Sequence, residues 1–445
     1  MTEELARHYD RLQLAYHTAV DDSAAKLVVP DGNAAEPFHR WFHLKEGFSH
    51  RLLPKVIADA GLAGRPWLSV IDPFAGVGTS LVSALESNVG VGRWSLLGFE
   101  VNPWLQLVAS VKVRALCSTN RAELAAQLAD LAASLDAARH PVDVLPPTLS
   151  TFHDPDHISR EYLERLLAIR ERVERVPLIA ESSHLARDLA IMCLGGAVLP
   201  AMRLRRDGRA LRRDYAKDLS EPLTTFRHIV SLVLEDLRSV ARRDAHASVI
   251  LGDGRSLGTV DVDCSADLIL FSPPYPNNID YTEVYKLEAW LLGLINDDGS
   301  FIKQRLRTVR SHPSVDFGAT YEFMQSPVAV DISSLVAPVL AAIPPGRYSA
   351  ARRRMVLGYV DDMYRVFLCS YKALRPGGWL AYVVGNSVHG RGEDAFVIAA
   401  DLIMARLAEL AGFHVRNIAV ARRLGRRHVS NPYARESVVY CRRPG

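Results

Sequence analysis

Asp267-Leu268-Ile269-Leu270-Phe271-Ser272-Pro273-Pro274-Tyr275 is the stretch whose reading decides the fold. Its first five residues are mostly apolar with no polar alternation, which suits a strand covered on both faces. Two prolines then forbid further sheet hydrogen bonding and fix the backbone direction just past the strand end. In an open α/β sheet, ligands bind outside the carboxyl ends of the strands. A Ser, two rigid carbonyls and a Tyr are therefore presented where chemistry is expected. Read alone, the turn fits a purely structural role equally well, and the decision rests on a second stretch upstream.

That stretch begins with an apolar strand, Trp67–Ile71, and runs through Asp72-Pro73-Phe74-Ala75-Gly76-Val77-Gly78-Thr79-Ser80 into a helix carrying Leu81, Val82, Ala84 and Leu85. Glycines let a backbone pass close to a ligand, and a helix N-terminus points free N–H groups at polar ligand atoms. A second strand, Ser95–Phe99, ends in Glu100-Val101-Asn102. An acid closing that strand, 24 residues after Gly76, is placed to bond the two hydroxyls of a ribose; a solvated or helix-capping Glu is the plain alternative. The strand Ser248–Leu251 ends in Gly252-Asp253-Gly254, where Asp253 is a candidate partner for an adenine amino group.

The 445 residues, 49% of them hydrophobic, suffice for one large domain or two. A formal net charge of +3 announces no polyanion partner, so local basic clusters must carry such a claim. Five scattered cysteines, with no Cys-x-x-Cys pair, argue for a reducing compartment and against a zinc site or disulfide framework. No signal-peptide pattern opens the chain, and apolar runs such as Leu189–Ala201 read as too short to span a bilayer. The expectation is a soluble, cytoplasmic protein with no membrane contact and no metal.

Elsewhere the periodicity predicts a helix around Glu3–Ala19, and Ser49 as the cap of a helix over His50–Ala60. The aromatic segment Pro37–Ser49 reads as core packing or as part of a ligand site. Residues 119–245 look mainly helical, over Asn120–Ala138, Ser159–Val173 and Leu219–Val240. Inside them the basic run Arg203–Arg213 fits a phosphate-contacting loop or a solvated surface. In His153-Asp154-Pro155-Asp156-His157 two helix-capping Asp residues explain the pattern better than a metal site. Further on, a helix spans Asp280–Leu292, and 296–355 reads as irregular with arginine clusters. A strand Trp379–Val384, a helix Asp394–Ala411 and strands Val415–Ala421 and Ser437–Cys441 follow, the last two joined by the basic Arg422–His428.

Asp72-Pro73-Phe74-Ala75-Gly76-Val77-Gly78-Thr79, the acidic strand end and Ser272-Pro273-Pro274-Tyr275 together resemble the S-adenosylmethionine-dependent amino-methyltransferases acting on exocyclic nitrogens of nucleic-acid bases. The resemblance spans roughly 37–115 and 248–445. It implies an α/β, Rossmann-like class I methyltransferase sheet with a mainly helical insertion. The chain then divides into a cofactor-binding half at 1–118, the insertion at 119–245 and a catalytic half at 246–445, with 296–355 as a target-recognition region.

It also implies that Asp72, Pro73, Phe74, Ala75, Gly76, Gly78, Thr79, Glu100, Val101, Asn102 and Asp253 hold S-adenosylmethionine, with Phe48 and Ser49 beside its methionine end. Ser272, Pro273 and Pro274 would hold the target base and Tyr275 would stack on it after it leaves the duplex. Gly385-Asn386-Ser387 and Arg435-Glu436 look similar to later family motifs. Arg205, Arg206, Arg305, Arg307, Arg353, Arg426 and Arg427 are candidate phosphate contacts on double-stranded DNA. Ser at the first turn position favours cytosine N4, whereas the motif order departs from many Ser-type members. Adenine N6, an RNA base, or a non-catalytic DNA-binding subunit are the alternatives, and restriction or defence proteins are the expected partners.

Overall fold

The computed structural model describes residues 1–135, 144–208, 210–259, 265–277, 279–390, 395–425 and 431–445. In chain order, α1 (Glu3–Leu14) and β1 (Thr18–Val20) precede α2 (Leu52–Asp59), β2 (Trp67–Asp72), α3 (Thr79–Glu86), β3 (Arg93–Glu100) and α4 (Pro103–Cys117). Helices α5 (Arg121–Ser134), α6 (Arg160–Glu174) and α7 (Glu181–Val198), a hairpin of β4 (Leu204–Arg206) and β5 (Leu211–Arg213), and α8 (Pro222–Ser239) come next. After β6 (Ala245–Leu251) and β7 (Ala266–Phe271) lie α9 (Tyr281–Val284), α10 (Lys286–Leu291), α11 (Asp298–Leu306), α12 (Ala329–Ala341) and α13 (Ser349–Ala373). Then come β8 (Leu374–Gly385), a hairpin of β9 (Ser387–His389) and β10 (Phe396–Ile398), α14 (Ala400–Leu410), β11 (His414–Arg423) and β12 (Arg435–Arg442).

Eight strands form one sheet in the order β1-β11-β12-β8-β7-β2-β3-β6, in which β12 alone runs against its neighbours. All six residues of β7 are buried. Leu268 and Leu270 enter the core on one face, and Ile269 and Phe271 the core on the other. A strand apolar on both faces can only sit inside a sheet with both sides covered, which is what the unbroken apolar run required. Helices α2 to α8 and α10 contribute to the first core, while α1 and α12 to α14 contribute to the second. The fold is therefore α/β and Rossmann-like. The chain reverses its direction of sheet-building between β2 and β7, and the crevice at that switch point is where such sheets bind ligands.

Several elements differ from the sequence expectations. The predicted first helix stops at Leu14, because 18–20 pairs with β11 as an edge strand. Ser49 does not cap α2: its hydroxyl donates to the Asp31 carbonyl at 2.8 Å, and the helix begins at Leu52. The predicted helix over 280–292 is broken at Tyr285, whose hydroxyl donates to Glu46 at 2.8 Å. Segment 296–355 is largely helical, since Asp297 caps α11 and Ile332, Leu335, Val336 and Val339 give α12 a buried face. Likewise β10 precedes α14, which begins at Ala400. Within the basic run, Leu204–Arg206 and Leu211–Arg213 pair as the β4–β5 hairpin. Ser159, rather than the aspartates before it, caps α6; Asp154 instead pairs with Arg213 at 2.7 Å. By length and composition Glu181–Ala201 passes as a membrane span, contrary to the apolar-run reading. In this fold α7 carries twelve buried residues and packs against α4, α5, α6 and α8.

A buried acid joins α8 to the amino-terminal segment. Asp236 accepts from the Phe38 amide at 2.8 Å, the Trp41 indole at 2.7 Å and Arg40 Nη2 at 2.5 Å. Phe38 has a positive φ of 56°, which a bulky residue holds only when its surroundings enforce it. Removing the carboxylate leaves the buried Phe38 amide and Trp41 indole without their acceptor, while Arg40 keeps Glu235 at 2.9 Å. Asp236→Ala is expected to cost about 2–4 kcal/mol in urea unfolding, for two buried donors left unpaired; a loss under about 1 kcal/mol, within the range of ordinary surface changes, would show that the clamp is not structural.

Candidate functional site

The carboxyl ends of β2, β3, β6 and β7 open into one cavity. On one side lie Pro73, Phe74 and Gly76 after β2, then Glu100, Val101 and Asn102 at the end of β3, and Asp253 after β6. Ser272, Pro273 and Pro274 after β7 form another wall. The two stretches that the sequence singled out therefore meet across one space, because their strands are neighbours in the sheet.

The glycine turn is held from below. Asp72 is buried and accepts from the Phe74 amide at 2.9 Å and from the Ser80 hydroxyl. Burial pushes its pKa up to about 7, against the hydrogen bonds to Ser80 and Phe74. Asp72 is thus a support under the turn rather than part of the cavity wall. Gly76 has φ of +53°, and a Cβ there would stand 3.0 Å from the Leu44 side chain. Its amide donates to Glu100 Oε2 at 2.9 Å, while Glu100 Oε1 accepts from the Asn102 amide at 2.8 Å. Each carboxylate oxygen keeps a lone pair for a further donor. Burial raises the Glu100 pKa to about 7. Asn102 caps α4 through Oδ1, with the Trp104 amide 3.0 Å away. Ala75, Gly78 and Thr79 lie behind the wall at the start of α3, where Gly78 adopts a left-handed conformation and α3 has no side-chain cap. Asp253 faces the cavity but is also gripped by Arg255, at 2.7 Å.

The Ser272 turn is held by strands β8 and β12. Ser272 Oγ donates to the Tyr275 hydroxyl at 3.2 Å, and Tyr275 donates to Glu436 Oε1 at 2.8 Å. Arg422 Nε donates to the other Glu436 oxygen at 2.6 Å. The Ser272 proton is committed to this relay, so its lone pairs remain to accept from a ligand. Tyr275 does not line the cavity. Its ring lies against Gly385, where any Cβ would come within 2.8 Å, which does not place it for the expected stacking role. Tyr281 on α9 lines the cavity together with Pro274. Ser387 Oγ donates to the Pro276 carbonyl at 2.7 Å, and Asn386 binds Asp401 at 2.7 Å, as does Arg435. The later motifs thus brace the turn from the adjoining strands.

Other predicted residues fall away from the cavity. Phe48 and Ser49 are buried in the core of the amino-terminal segment, and Leu44 and Glu46 take the place at the wall. The sequence flagged that aromatic segment, but nothing in it distinguished Glu46 from Ser49. Arg206 is buried on Glu288 and lies 4.3 Å over the Tyr285 ring, and Arg305 pairs with Asp280 at 2.7 Å. Both serve ion pairs inside the protein and are unavailable to an external phosphate. Arg307 and Arg353 are exposed, and Arg307 lies at the cavity wall. Arg205 is exposed with Asp214 3.7 Å away. Arg426 and Arg427 lie outside the described residues. Sequence reading missed Tyr281 and the wall segment Thr308, Val309, Ser311 and His312, which carry no motif. Among the described residues, no three His, Cys, Asp or Glu side chains converge as a metal site.

No protein-family model matches the chain. Type II methyltransferase M.AvaI of Nostoc sp. and that of Anabaena variabilis are each 24% identical to it over an alignment covering 94% of this chain and 88% of theirs. Type II methyltransferase M.BsoBI of Geobacillus stearothermophilus is 23% identical, over 87% of this chain and 81% of its own. The solved rRNA methyltransferase aviRa of Streptomyces viridochromogenes aligns over 89% of this chain at 12% identity with a TM-score of 0.29, a superposition too loose to bear on the argument. The methyltransferase resemblance first carried by two short motifs is borne out, and its span is wider than the motifs suggested, since alignments over 94% of the chain take in most of 119–245 as well.

The buried Asp72 carboxyl gives a pH signature. Its pKa is raised from 3.8 unfolded to about 7 folded. Between those values the folded chain keeps a proton that the unfolded chain has released, so this contribution to stability is full at low pH and lost as pH rises through 7. Relative to Asp72→Asn, wild-type stability is expected to fall by up to about 1.4 kcal/mol per pH unit across that window. Parallel pH profiles of the two proteins in denaturant titrations would contradict the assignment.

Proposed function

We propose that the protein transfers a methyl group from S-adenosylmethionine to an exocyclic amine of a DNA base, cytosine N4 in the first instance. The similarity to Type II methyltransferases supports the coarser reading, a DNA methyltransferase using that cofactor. One observation supports the site assignment above all. The glycine turn with its acidic strand end and the Ser272-Pro273-Pro274 turn face one cavity, with the Ser272 proton already directed away from it.

The residues present fit the cofactor. Glu100 offers carboxylate lone pairs for ribose hydroxyls, Gly76 brings its backbone close, and Asp253 stands at the strand end suited to an adenine amine. When bound, the cofactor supplies an electrophilic methyl group on a sulfonium. The protein's task is then to make a poor nucleophile competent. The lone pair of an exocyclic amine is delocalised into the ring. Ser272 Oγ and the Pro273 carbonyl, as acceptors of its two N–H bonds, would let the nitrogen pyramidalise and aim that lone pair. Tyr275 and Glu436 fix the direction of the Ser272 hydroxyl, and Tyr281 is the ring we assign to stack on a base turned out of the duplex. Exposed Arg307, Arg353 and Arg205 are the phosphate contacts we retain, with a contribution that falls with salt. On this reading 119–245 is an insertion between α4 and β6, and 296–355 flanks the target base. The enzyme would work in the cytoplasm, alongside restriction or defence proteins.

The test is methyl transfer from labelled cofactor to mixed-sequence duplex DNA, with mass spectrometry of the digested nucleosides. N4-methylcytosine is expected, and Ser272→Ala should lower its rate roughly 100-fold. N6-methyladenine would keep the mechanism and overturn the base assignment. No methylated nucleoside from DNA or RNA would overturn the enzymatic reading in favour of a DNA-binding subunit. In a separate binding measurement, Glu100→Ala should weaken cofactor affinity at least about tenfold, the equivalent of one charge-assisted hydrogen bond; unchanged affinity would remove Glu100 from the site.

A further inference from the structure

The amine nitrogen must lose a proton when it is methylated, and the groups assigned so far are poor bases. A Ser hydroxyl and a peptide carbonyl orient an N–H without keeping its proton. The wall opposite carries a group that can.

His312 lines the same cavity as Ser272, Pro273 and Tyr281. The segment around it is tightly held. Arg255 donates to the Arg307 carbonyl at 2.7 Å, Arg310 pairs with Asp361 and Asp362, and the His312 ring meets Phe317 edge to face at 5.5 Å. Its Nδ1 lies 2.6 Å from Ser314 Oγ, which donates to Asp280 Oδ2 at 3.4 Å. In the tautomer with its proton on Nδ1, the imidazole donates to Ser314 Oγ, which also accepts from Arg305 Nη2 at 3.2 Å and passes its own proton to Asp280, and Nε2 is left as an acceptor with no protein partner among the described residues. Asp280 does double duty: Oδ1 caps α9, and Oδ2 holds the Ser314 and Arg305 side of the network.

We propose that His312 is a further catalytic residue, taking through Nε2 the proton that the target amine loses on methylation; this rests on the methyltransferase reading above. The amine lone pair forms the new N–C bond while the S–C bond breaks, with its electron pair staying on sulfur. The N–H bond then breaks, its electron pair returns to nitrogen, and the proton passes to Nε2 and from there to water. The charged groups acting on the ring are Asp280, Arg305 and Glu283. Burial lowers the pKa below 6.5, outweighing the Asp280 carboxylate that raises it. The ring is neutral, and so able to accept, at pH 7. A base of this kind predicts a rate that falls on acidification below pH 6.5.

Single-turnover methylation of duplex DNA is measured from pH 5 to 8 for wild type, His312→Ala and Ser314→Ala, at cofactor and DNA concentrations that saturate at every pH so that titration of Glu100 does not enter the rate, with both affinities determined alongside. His312→Ala is expected to lower the rate roughly 100-fold, to lose the acidic limb and to regain rate with added imidazole, while both affinities stay within about twofold of wild type. Ser314→Ala, which keeps the imidazole but removes its orienting acceptor, should shift the limb. A His312→Ala rate within about threefold of wild type, or an acidic limb that persists in it, would overturn the assignment. Should that variant fail to fold, an unshifted limb in Ser314→Ala overturns it instead. If wild type itself methylates nothing, the failure belongs to the methyltransferase reading and not to His312.

Discussion

Everything around the cavity depends on satisfying a polar turn inside a sheet. Strand β7 is buried on both faces, and it ends in a turn whose two prolines offer carbonyls but no amide protons. Leaving the Ser272 hydroxyl unpaired would cost of order 1–3 kcal/mol. The neighbouring strands supply the partners. Glu436 on β12 receives Tyr275, which receives Ser272, and Ser387 on β9 gives its proton to the Pro276 carbonyl. The antiparallel strand β12 matters for this reason. Set between β8 and β11, it brings the carboxylate to the turn, and Arg422 of β11 secures the second oxygen.

The same economy of buried acids recurs. Asp72 supports the glycine turn, Asp267 at the far end of β7 ties Arg65, Arg375 and the Ser69 amide, and Asp401 gathers Asn386, Arg435 and Ser437. Each acid sits where several donors converge, which is the condition under which a buried carboxylate is tolerable. These are largely contacts between segments distant in sequence, so no local pattern announces them.

That difference explains what the sequence could and could not tell. The apolar run before Ser272 and the strand–turn–helix around Gly76 carry their own signals, because strand burial and glycine turns are set by neighbouring residues. They sufficed for the α/β architecture and for the two walls of the cavity. Glu46 and His312 reach the cavity only through tertiary packing, and nothing nearby in sequence distinguishes them. Arg206 and Arg305 show the converse. Read as surface charge in basic runs, both turned inward because Glu288 and Asp280, far from Arg206 and Arg305 in the chain, were there to meet them. The helices of 296–355 were hidden by their prolines and arginines, although α12 presents a regular buried face once the fold is formed.

The Asp236 clamp has a consequence for modularity. Helices α5 to α8 occupy one continuous stretch of chain between α4 and β6. Yet α8 carries the anion that holds the Phe38–Trp41 bend, and that bend leads directly to Leu44 and Glu46 at the cavity wall. Excising α5 to α8 would therefore strip the support from a segment nearly two hundred residues earlier in the chain. The helices and the Phe38–Trp41 bend are interdependent. A chimaera that exchanges one between relatives has to exchange the other with it.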